Sequence, residues 1–248
     1  MNSPILVAEN IGVQFDAFTA LKNVSVAFKA RQLTAVIGPN GAGKSTFFNV
    51  VSGSLIPSTG RIRFNGQDIT GAKQHEFARM GIAKSFQITN VFPQLTVGEN
   101  VRLAAQMRRS RFGLLVPRQS MTDLIVLAES LLERVGLAKA FHLPARDLAH
   151  GQQRCLEIAM ALACDPKLLL LDEPTAGMSP EETLDMMDLI TRLAEERTVI
   201  LVEHKMKLVM GICQRLIVLH HGELLAQGTP NDIRANYEVK RVYLGQKV

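Results

Sequence analysis

A glycine-rich segment that ends in lysine, serine and threonine carries the clearest chemistry in the sequence. Residues 38–46 have the sequence GPNGAGKST, a full match to the pattern G-x-x-x-x-G-K-[ST]. Its glycines let the backbone wrap around a phosphate with the N–H groups pointing inward. We expect Lys44 to reach the β- and γ-phosphates, Ser45 to offer a hydroxyl to Mg²⁺, and Thr46 to add a phosphate contact. The segment predicts nucleotide binding. The predicted binding residues are Gly38, Pro39, Asn40, Gly41, Ala42, Gly43, Lys44, Ser45 and Thr46.

Two carboxylates follow an apolar run in the second half of the chain. Residues 168–175 have the sequence LLLLDEPT, so Asp172 and Glu173 come at the end of a predicted buried strand that Pro174 stops. We expect Asp172 to hold Mg²⁺ through its water shell and Glu173 to polarise the attacking water as general base. Two acids after a strand are often only solvated side chains. Together with a phosphate-binding segment they predict nucleotide hydrolysis.

The elements that must position these residues alternate between strand and helix. Apolar and β-branched runs predict strands at 5–8, 11–15, 24–28, 33–37, 61–64, 168–171, 198–202 and 216–219. A helix is predicted from Lys44, and Ser179 and Thr229, each followed by proline, are predicted helix N-caps. Residues 88–163 are predicted to be mainly helical. The predicted order is a strand, a glycine loop and a helix, followed by a helical insertion and then further strands. This order indicates a nucleotide-binding α/β fold.

Length and composition narrow the class of protein. The 248 residues are 47% hydrophobic, enough for one large domain with a substantial core. Three cysteines without a C-x-x-C pair and an N-terminus without a leader pattern favour a reducing cytoplasmic compartment. No apolar run approaches 18 residues, so we do not expect the chain to span a membrane by itself. The net charge is +5, but tryptophan is absent and the aromatic residues are not interleaved with basic runs, so we expect no nucleic-acid partner.

Further motifs in a fixed order make the whole chain resemble the ATP-binding subunit of an ABC transporter. At the place of that family's LSGGQ signature lie Leu148, Ala149, His150, Gly151 and Gln152. Phe86-Gln87 is similar to the Q-loop, Glu203-His204 is similar to the switch histidine, and residues 176–179 occupy the D-loop position. Taken singly, none of these shorter elements is informative. The resemblance comes from their order along the chain.

The resemblance implies a P-loop NTPase core with an antiparallel β subdomain and an inserted α-helical subdomain, within one ATP-binding domain of residues 1–248. The core and β subdomain would comprise about 1–87 and 164–248, and the helical subdomain with the signature about 88–163.

ATP and Mg²⁺ are the ligands that the resemblance implies. Gln87 and His204 would join Glu173 and Lys44 in catalysis, and Gln87 would join Ser45 and Asp172 at the metal. Phe15 is the first candidate to stack on adenine and Phe18 the second, while the alternative for Phe15 is a place in the core.

The resemblance to ABC transporter subunits also implies that two such subunits pair head to tail. Each ATP would lie between segment 38–46 of one subunit and residues 148–152 of the other, and hydrolysis would release the pair. The helical subdomain, hinged at Gln87, would pass this closure to membrane partners as a two-state switch.

Three residues depart from the family pattern. Ala149 replaces the signature serine, His150 replaces a glycine, and Ser179 replaces the D-loop aspartate. A lost hydrogen bond to a charged group costs about 1.5–3 kcal/mol. Either ATP turnover is slower than in family members with the usual signature, or His150 compensates for the lost serine hydrogen bond. We still expect an active ATPase.

Finer resemblance points to the branched-chain amino-acid uptake group. It involves residues 91–100, the signature with 152–159, residues 203–210 and the tail 228–245. This group implies a second ATPase subunit, identical or different, two transmembrane permease subunits and, indirectly, a periplasmic solute-binding protein. It implies a peripheral location on the cytoplasmic face of the inner membrane. The alternatives are a urea or amide importer and a lipopolysaccharide or lipid exporter.

Two hypotheses from other functional classes are also considered. A soluble ABC ATPase acting on DNA or ribosomes usually has long coiled-coil insertions or two fused ATPase domains, for which 248 residues leave no room. A nucleotide-binding regulator without hydrolysis is opposed by Glu173 and His204. The Arg-rich stretch 106–120 either contacts anionic lipid headgroups or is a solvated loop.

Overall fold

The computed structural model describes residues 3–85, 91–106 and 122–244. Within these ranges the chain forms ten strands, nine α-helices and two short 3₁₀-helices at Ala138–Ala140 and Ala145–Asp147. The strands are β1 (Pro4–Phe15), β2 (Phe18–Lys29), β3 (Leu33–Ile37), β4 (Thr59–Phe64), β5 (Gln67–Asp68), β6 (Ile82–Lys84), β7 (Leu168–Asp172), β8 (Thr198–Val202), β9 (Arg215–His220) and β10 (Glu223–Gly228). The helices are α1 (Lys44–Val51), α2 (Gln74–Met80), α3 (Val97–Gln106), α4 (Thr122–Arg134), α5 (His150–Leu162), α6 (Pro180–Glu196), α7 (Met206–Ile212), α8 (Pro230–Ala235) and α9 (Tyr237–Leu244).

A six-stranded sheet in the order β10-β9-β3-β8-β7-β6 forms the centre of the fold. The strands from β9 to β6 run parallel, and β10 pairs antiparallel with β9 at one edge. A second, antiparallel sheet has the order β2-β1-β4-β5. It packs on α1, where the rings of Phe28 and Phe47 stack with their centres 6.4 Å apart. The α/β fold class predicted from the sequence is confirmed.

Two hydrophobic cores cover the two faces of the central sheet. Successive strand residues point to opposite faces, so Leu168 and Leu170 pack towards α1 and the antiparallel sheet, whereas Leu169 and Leu171 pack towards α3 to α6. Every residue of β3, β7 and β8 is buried. Strands covered on both faces require continuous rather than alternating apolar runs, and this is the pattern that predicted them.

The strand β1 is continuous where the sequence predicts two strands. Asn10 has a φ of +52°, and the pairing register with both β2 and β4 shifts around it. Its N–H donates to Ser25 Oγ at 2.8 Å, and the Ser25 hydroxyl donates to Asn10 Oδ1 at 3.0 Å. Asparagine tolerates the left-handed region better than most residues, so the interruption is a bulge within one strand and not a strand end.

The helices α3, α4 and α5 pack on one another, and α5 also packs on β6. This agrees with the helical character predicted for the middle of the chain. The predicted boundary at residues 87 and 88 lies outside the described residues, so the division into subdomains stays a prediction. In the described part of the chain, no helix has both the length and the apolar character needed to cross a bilayer.

Candidate nucleotide-binding site

The glycine-rich segment connects the end of β3 to the start of α1, at the carboxyl edge of the parallel sheet. Ligands of open α/β sheets bind at this edge. Gly41 and Gly43 have φ angles of +76° and +95°, which suit glycine. Gly43 is also the N-cap of α1 and offers no side-chain cap. The first N–H groups of α1 are therefore free of helical partners and can bind an anion.

The turn between β9 and β10 supports this segment from one side. The N–H of Gly222 donates to the carbonyl oxygen of Ala42 at 3.1 Å. A Cβ atom at Gly38 would lie 2.3 Å from the carbonyl oxygen of Leu219. Such a contact cannot be relieved by a side-chain movement, because the opposing atom belongs to the backbone. The first glycine of the motif is thus required by packing against β9 as well as by space for a phosphate.

Lys44 is buried and bonded to its own loop. Its Nζ donates to the carbonyl oxygens of Gly38 at 2.8 Å and Pro39 at 3.0 Å. Burial lowers the pKa of Lys44, while Glu173 and Asp172 act in the opposite direction and raise it. The ammonium group therefore lies within segment 38–46, the predicted phosphate loop. It is also within electrostatic range of the predicted general base Glu173 and the predicted metal ligand Asp172.

Asp172, the last residue of β7, is a buried carboxylate. Burial raises its pKa, the nearby Lys84 lowers it, and the neighbouring Glu173 raises it further. On β6, Lys84 donates from Nζ to Asn49 Oδ1 at 2.9 Å and lies 5.1 Å from the ring centre of Phe48, so it connects β6 to α1. The raised pKa shows that positive charge around Asp172 does not compensate its burial, and a divalent cation would supply that charge.

Replacing Asp172 by asparagine is expected to stabilise the nucleotide-free protein at neutral pH. An acid whose pKa is raised on folding favours the folded state only while it is protonated, and this contribution is lost as the pH rises through the folded pKa. The variant should therefore have the higher melting temperature at pH 7, by about 2–4 °C for each kcal/mol of relieved penalty. The difference should shrink as the pH falls towards the ordinary aspartate value of 3.8. Calorimetry across this range measures it. Asp188→Asn, on the exposed side of α6, is the control, and an equal gain in both variants would contradict the argument.

Glu173 and His204 follow adjacent strands and lie close together. The Nδ1 atom of His204 is 3.9 Å from Glu173 Oε1. Glu173 has a φ of +45°, and its N–H donates to the carbonyl oxygen of Val202 on β8 at 3.0 Å. A residue other than glycine in this left-handed region of positive φ costs about 1–3 kcal/mol, and such strain is concentrated at functional sites. The sequence does not reveal this conformation.

Phe15 and Phe18 flank the turn between β1 and β2. Their side chains are 47% and 65% exposed, so the alternative that Phe15 belongs to the core is wrong. Three residues beyond Phe18, β2 passes the phosphate loop, where a Cβ at Gly43 would lie 2.8 Å from Leu21. The hairpin therefore presents two aromatic rings to solvent, and its second strand continues to the phosphate loop. Which of them stacks on adenine stays a prediction.

The signature residues form the start of α5. Leu148 is buried, Ala149 is the N-cap, and Gln152 Oε1 accepts from the Ala149 N–H at 3.1 Å. A Cβ at Gly151 would lie 2.6 Å from Glu182 Oε1, so a larger residue here would have to displace the Glu182 side chain, whose Oε2 accepts from the Ser179 N–H. His150 is exposed, and its Cε1 lies 3.3 Å from the position of a Cβ at Gly177. His150 therefore places the predicted signature beside Gly177, in the predicted D-loop of the same chain.

Replacing Ala149 by serine is expected to stabilise the protein. Alanine has no acceptor, so the reciprocal half of the capping interaction, to the N–H of Gln152, is missing. Serine at an N-cap contributes about 1 kcal/mol over alanine, which corresponds to a melting temperature roughly 2–4 °C higher in a chain of this size. Thermal unfolding measures the change. Ala149→Val, which adds volume without an acceptor, is the control, and no gain from serine over valine would show that the cap is satisfied in another way.

Two predicted features lie outside the described residues. They are Gln87, predicted to act at the metal and in catalysis, and residues 107–120 of the Arg-rich stretch. Ser45 and Thr46 lie in the first turn of α1, as predicted. Lys84, which lies near Asp172, is a functional candidate that the sequence interpretation did not name. The sequence interpretation names Glu203 only as the neighbour of the predicted switch histidine, and the structure makes it a second candidate. Full burial identifies Glu203 and a position near Asp172 identifies Lys84, and both are visible only in the fold.

A parallel sheet with a phosphate loop, a carboxylate pair and a histidine at its carboxyl edge, and a signature helix beside it, defines an ATP-binding cassette. The chain belongs to the ABC transporter family, whose model matches residues 21–176, and it is an ABC ATPase. Among solved structures it is similar to MJ1267, an ATP-binding cassette of an ABC transporter, with a TM-score of 0.86 and 29% identity over 97% of this chain and 98% of that one. It is also similar to the ATP-binding cassette MJ0796, a dimeric post-hydrolysis state bound to ADP and phosphate, with a TM-score of 0.78 and 25% identity over 91% of this chain and 98% of that one.

Three curated relatives match over nearly their full lengths. The high-affinity branched-chain amino acid transport ATP-binding protein BraF of Pseudomonas aeruginosa is 40% identical over 99% of this chain and 100% of its own. LivG of Salmonella typhimurium, of the same description, is 39% identical over the same shares. The lipopolysaccharide export system ATP-binding protein LptB of Haemophilus influenzae is 33% identical over 98% of each chain.

Proposed function

We propose that this chain is the ATP-hydrolysing subunit of an ABC importer for branched-chain amino acids. The observation that carries the proposal is the full-length similarity to BraF and LivG, at 40% and 39% identity. The similarity to LptB supports a second candidate, the ATPase of a lipopolysaccharide exporter, at lower identity. A urea or amide importer is the other alternative on sequence grounds.

ATP is the substrate, and its phosphates would lie in segment 38–46. Lys44 would exchange its bonds to the carbonyls of Gly38 and Pro39 for bonds to phosphate oxygens. Glu173 would accept a proton from the attacking water, and His204 would donate to the γ-phosphate. Phe15, or else Phe18, would stack on the adenine.

Mg²⁺ is the metal that the donor set fits. The described residues contain no cluster of three or more His, Cys, Asp or Glu suited to hold a metal ion. Ser45 and Asp172 offer a hydroxyl and a carboxylate oxygen. Such oxygens fit Mg²⁺, which takes one or two protein oxygens and completes its shell with water and substrate phosphates. Asp172 and Ser45 would hold it, together with Gln87. When bound, it supplies positive charge that stabilises the charge on the transferred phosphoryl group.

The composite site would form between two subunits in head-to-tail orientation. The phosphate loop is carried by β3 and α1, whereas the signature is carried by α5, which packs on α3, α4 and β6. ATP bound to one subunit would contact Gly151 and the N-terminal end of α5 in the other. The second subunit, identical or different, is therefore part of the enzyme, and ATP joins the pair.

The remaining partners would be two permease subunits and, through them, a periplasmic solute-binding protein. The chain would then be peripheral, at the cytoplasmic face of the inner membrane. Contacts with the permeases would transmit the closing and opening of the ATPase pair.

Trapping the assembled complex tests the proposal. Glu173→Gln, tagged and held with ATP, is purified after gentle solubilisation of membranes, and the associated proteins are identified by mass spectrometry. We expect two multi-span permeases and a second ATPase. Uptake of labelled leucine, isoleucine and valine should fail in cells in which this variant replaces the parent chain. Recovery with a lipid-export permease pair would favour the LptB-like candidate, and loss of urea but not leucine uptake would favour the urea importer. Recovery without any membrane protein would contradict a transport function.

A further inference from the structure

Glu203 links the loop after β7 to the loop after β8. Both Glu203 and Thr175 are fully buried. The Thr175 hydroxyl donates to Glu203 Oε1 at 2.6 Å, and the Thr175 N–H lies 3.4 Å from the same oxygen. The N–H of His204 donates to the other oxygen, Oε2, at 3.2 Å. One carboxylate therefore binds both the segment that follows Glu173 and the residue predicted to contact the γ-phosphate.

A second connection joins the same two loops. Lys205 Nζ donates to the carbonyl oxygen of Thr175 at 3.3 Å. In addition, His204 Nδ1 is 3.9 Å from Glu203 Oε2, the same separation that it has from Glu173 Oε1. The imidazole thus lies between the carboxylate predicted to activate water and a second carboxylate that no solvent reaches.

Burying a carboxylate is costly unless its oxygens are well hydrogen-bonded, and an apolar residue of similar volume is often less costly at such a position. Both oxygens of Glu203 are used to hold loops that carry predicted catalytic groups. Catalytic geometry is demanding, because a displacement of about 1 Å can reduce a rate by about a hundredfold.

We propose that Glu203 is a positioning residue for ATP hydrolysis. Through Thr175 and the backbone of His204, it holds Glu173 and His204 in one fixed relative geometry, so that Glu173 faces the attacking water while His204 reaches the γ-phosphate. It touches no substrate itself. This inference rests on the proposed ATPase chemistry of Glu173 and His204 and adds the residue that aligns them.

The hydroxyl of Thr175 offers a clean test with near-isosteric variants. Thr175→Val removes the hydroxyl and keeps the volume, and we expect kcat of the full chain to fall about tenfold to a hundredfold with an unchanged KM for ATP. Thr175→Ser, which retains the hydroxyl, should recover most of that loss. Glu203→Gln should lower kcat in the same way, because its amide places a donor against one of the two loops. The double variant should lose no more than the worse single variant, since both remove the same link.

Thr191→Val is the matched control. The Thr191 hydroxyl donates only to the Met187 carbonyl oxygen of its own helix at 2.8 Å, so its loss should leave turnover unchanged. The proposal is overturned if Thr175→Val keeps the parent kcat, or if the serine and valine variants lose equal amounts of kcat. It is also overturned if only KM rises, or if the kcat losses of the two single variants multiply in the double variant. If Glu203→Gln does not fold, the comparison of valine with serine at 175 decides the matter.

Failure of this inference is distinguishable from failure of the proposed function. If Glu173→Gln hydrolyses ATP at the parent rate, the general-base assignment fails, and the positioning role fails with it. If Glu173→Gln is inactive while Thr175→Val keeps the parent kcat, only the positioning role of Glu203 is wrong.

Discussion

Glu173→Gln should abolish most ATP turnover while leaving ATP binding intact. Glutamine is nearly isosteric with glutamate but cannot accept a proton from water, and a general base contributes about 10²–10⁴-fold to a rate. The amide keeps the size of the side chain, and the backbone bond from residue 173 to Val202 is unaffected. We therefore expect steady-state hydrolysis to fall by about this factor, with an ATP dissociation constant close to that of the parent.

Phosphate release and equilibrium binding of a fluorescent ATP analogue measure these two quantities. Glu181→Gln, at the exposed start of α6, is the matched control and should hydrolyse ATP at the parent rate. In the presence of ATP, Glu173→Gln should also accumulate as a dimer in size-exclusion chromatography, because ATP binds between the two subunits and is not hydrolysed. Turnover equal to that of the control would remove Glu173 from the mechanism.

Lys44→Met should have the opposite pattern, with loss of nucleotide binding itself. The ammonium group is the buried cation of the phosphate loop, and each hydrogen bond to a charged group contributes about 1.5–3 kcal/mol. Loss of the two bonds that Lys44 would make to phosphate oxygens weakens ATP binding by about a hundredfold or more. Methionine keeps the length and much of the volume of the side chain, so the packing around α1 should persist.

Calorimetric titration with ATP, with and without Mg²⁺, measures this effect. Lys29→Met, at the exposed end of β2, controls for the loss of one positive charge. Unchanged ATP affinity in a folded Lys44→Met protein would mean that the phosphates do not bind beside this lysine. Comparable losses in both variants would mean that the general positive field of the chain, and not the loop, attracts the nucleotide.

The parts of the fold that the sequence predicts are those that short-range chemistry determines. Strands β3 and β8 have the predicted limits because five consecutive apolar or β-branched residues are buried on both faces. Ser179 begins α6 as predicted, because Ser179 Oγ accepts from the Glu182 N–H at 3.2 Å and Glu182 Oε2 accepts from the Ser179 N–H at 2.9 Å. Such interactions span three or four residues, and their signal is visible in the sequence.

The parts that could not be predicted depend on partners far away along the chain. The bulge at Asn10 depends on Ser25, and the role of Glu203 depends on Thr175, 28 residues earlier. The φ of Glu173 depends on its place between β7 and the loop that follows. The exposure of Phe15 depends on how two strands pair. Residue types alone predict which groups do the chemistry, whereas their alignment arises only when the sheet forms.

The place of β3 in the sheet also sets the order in which the protein can mature on the ribosome. Its two hydrogen-bonded neighbours are β8 and β9, and the turn that supports the phosphate loop is at Gly222. At a synthesis rate of about 5–20 residues per second, the interval between Ile37 and Leu219 is roughly 10–40 s. Until β8 emerges, after most of that time, the strand that carries the phosphate loop lacks both of its neighbouring strands and is exposed to chaperones and to aggregation. Nucleotide cannot assist the early stages of folding, because its binding loop is completed only when the last strands have emerged.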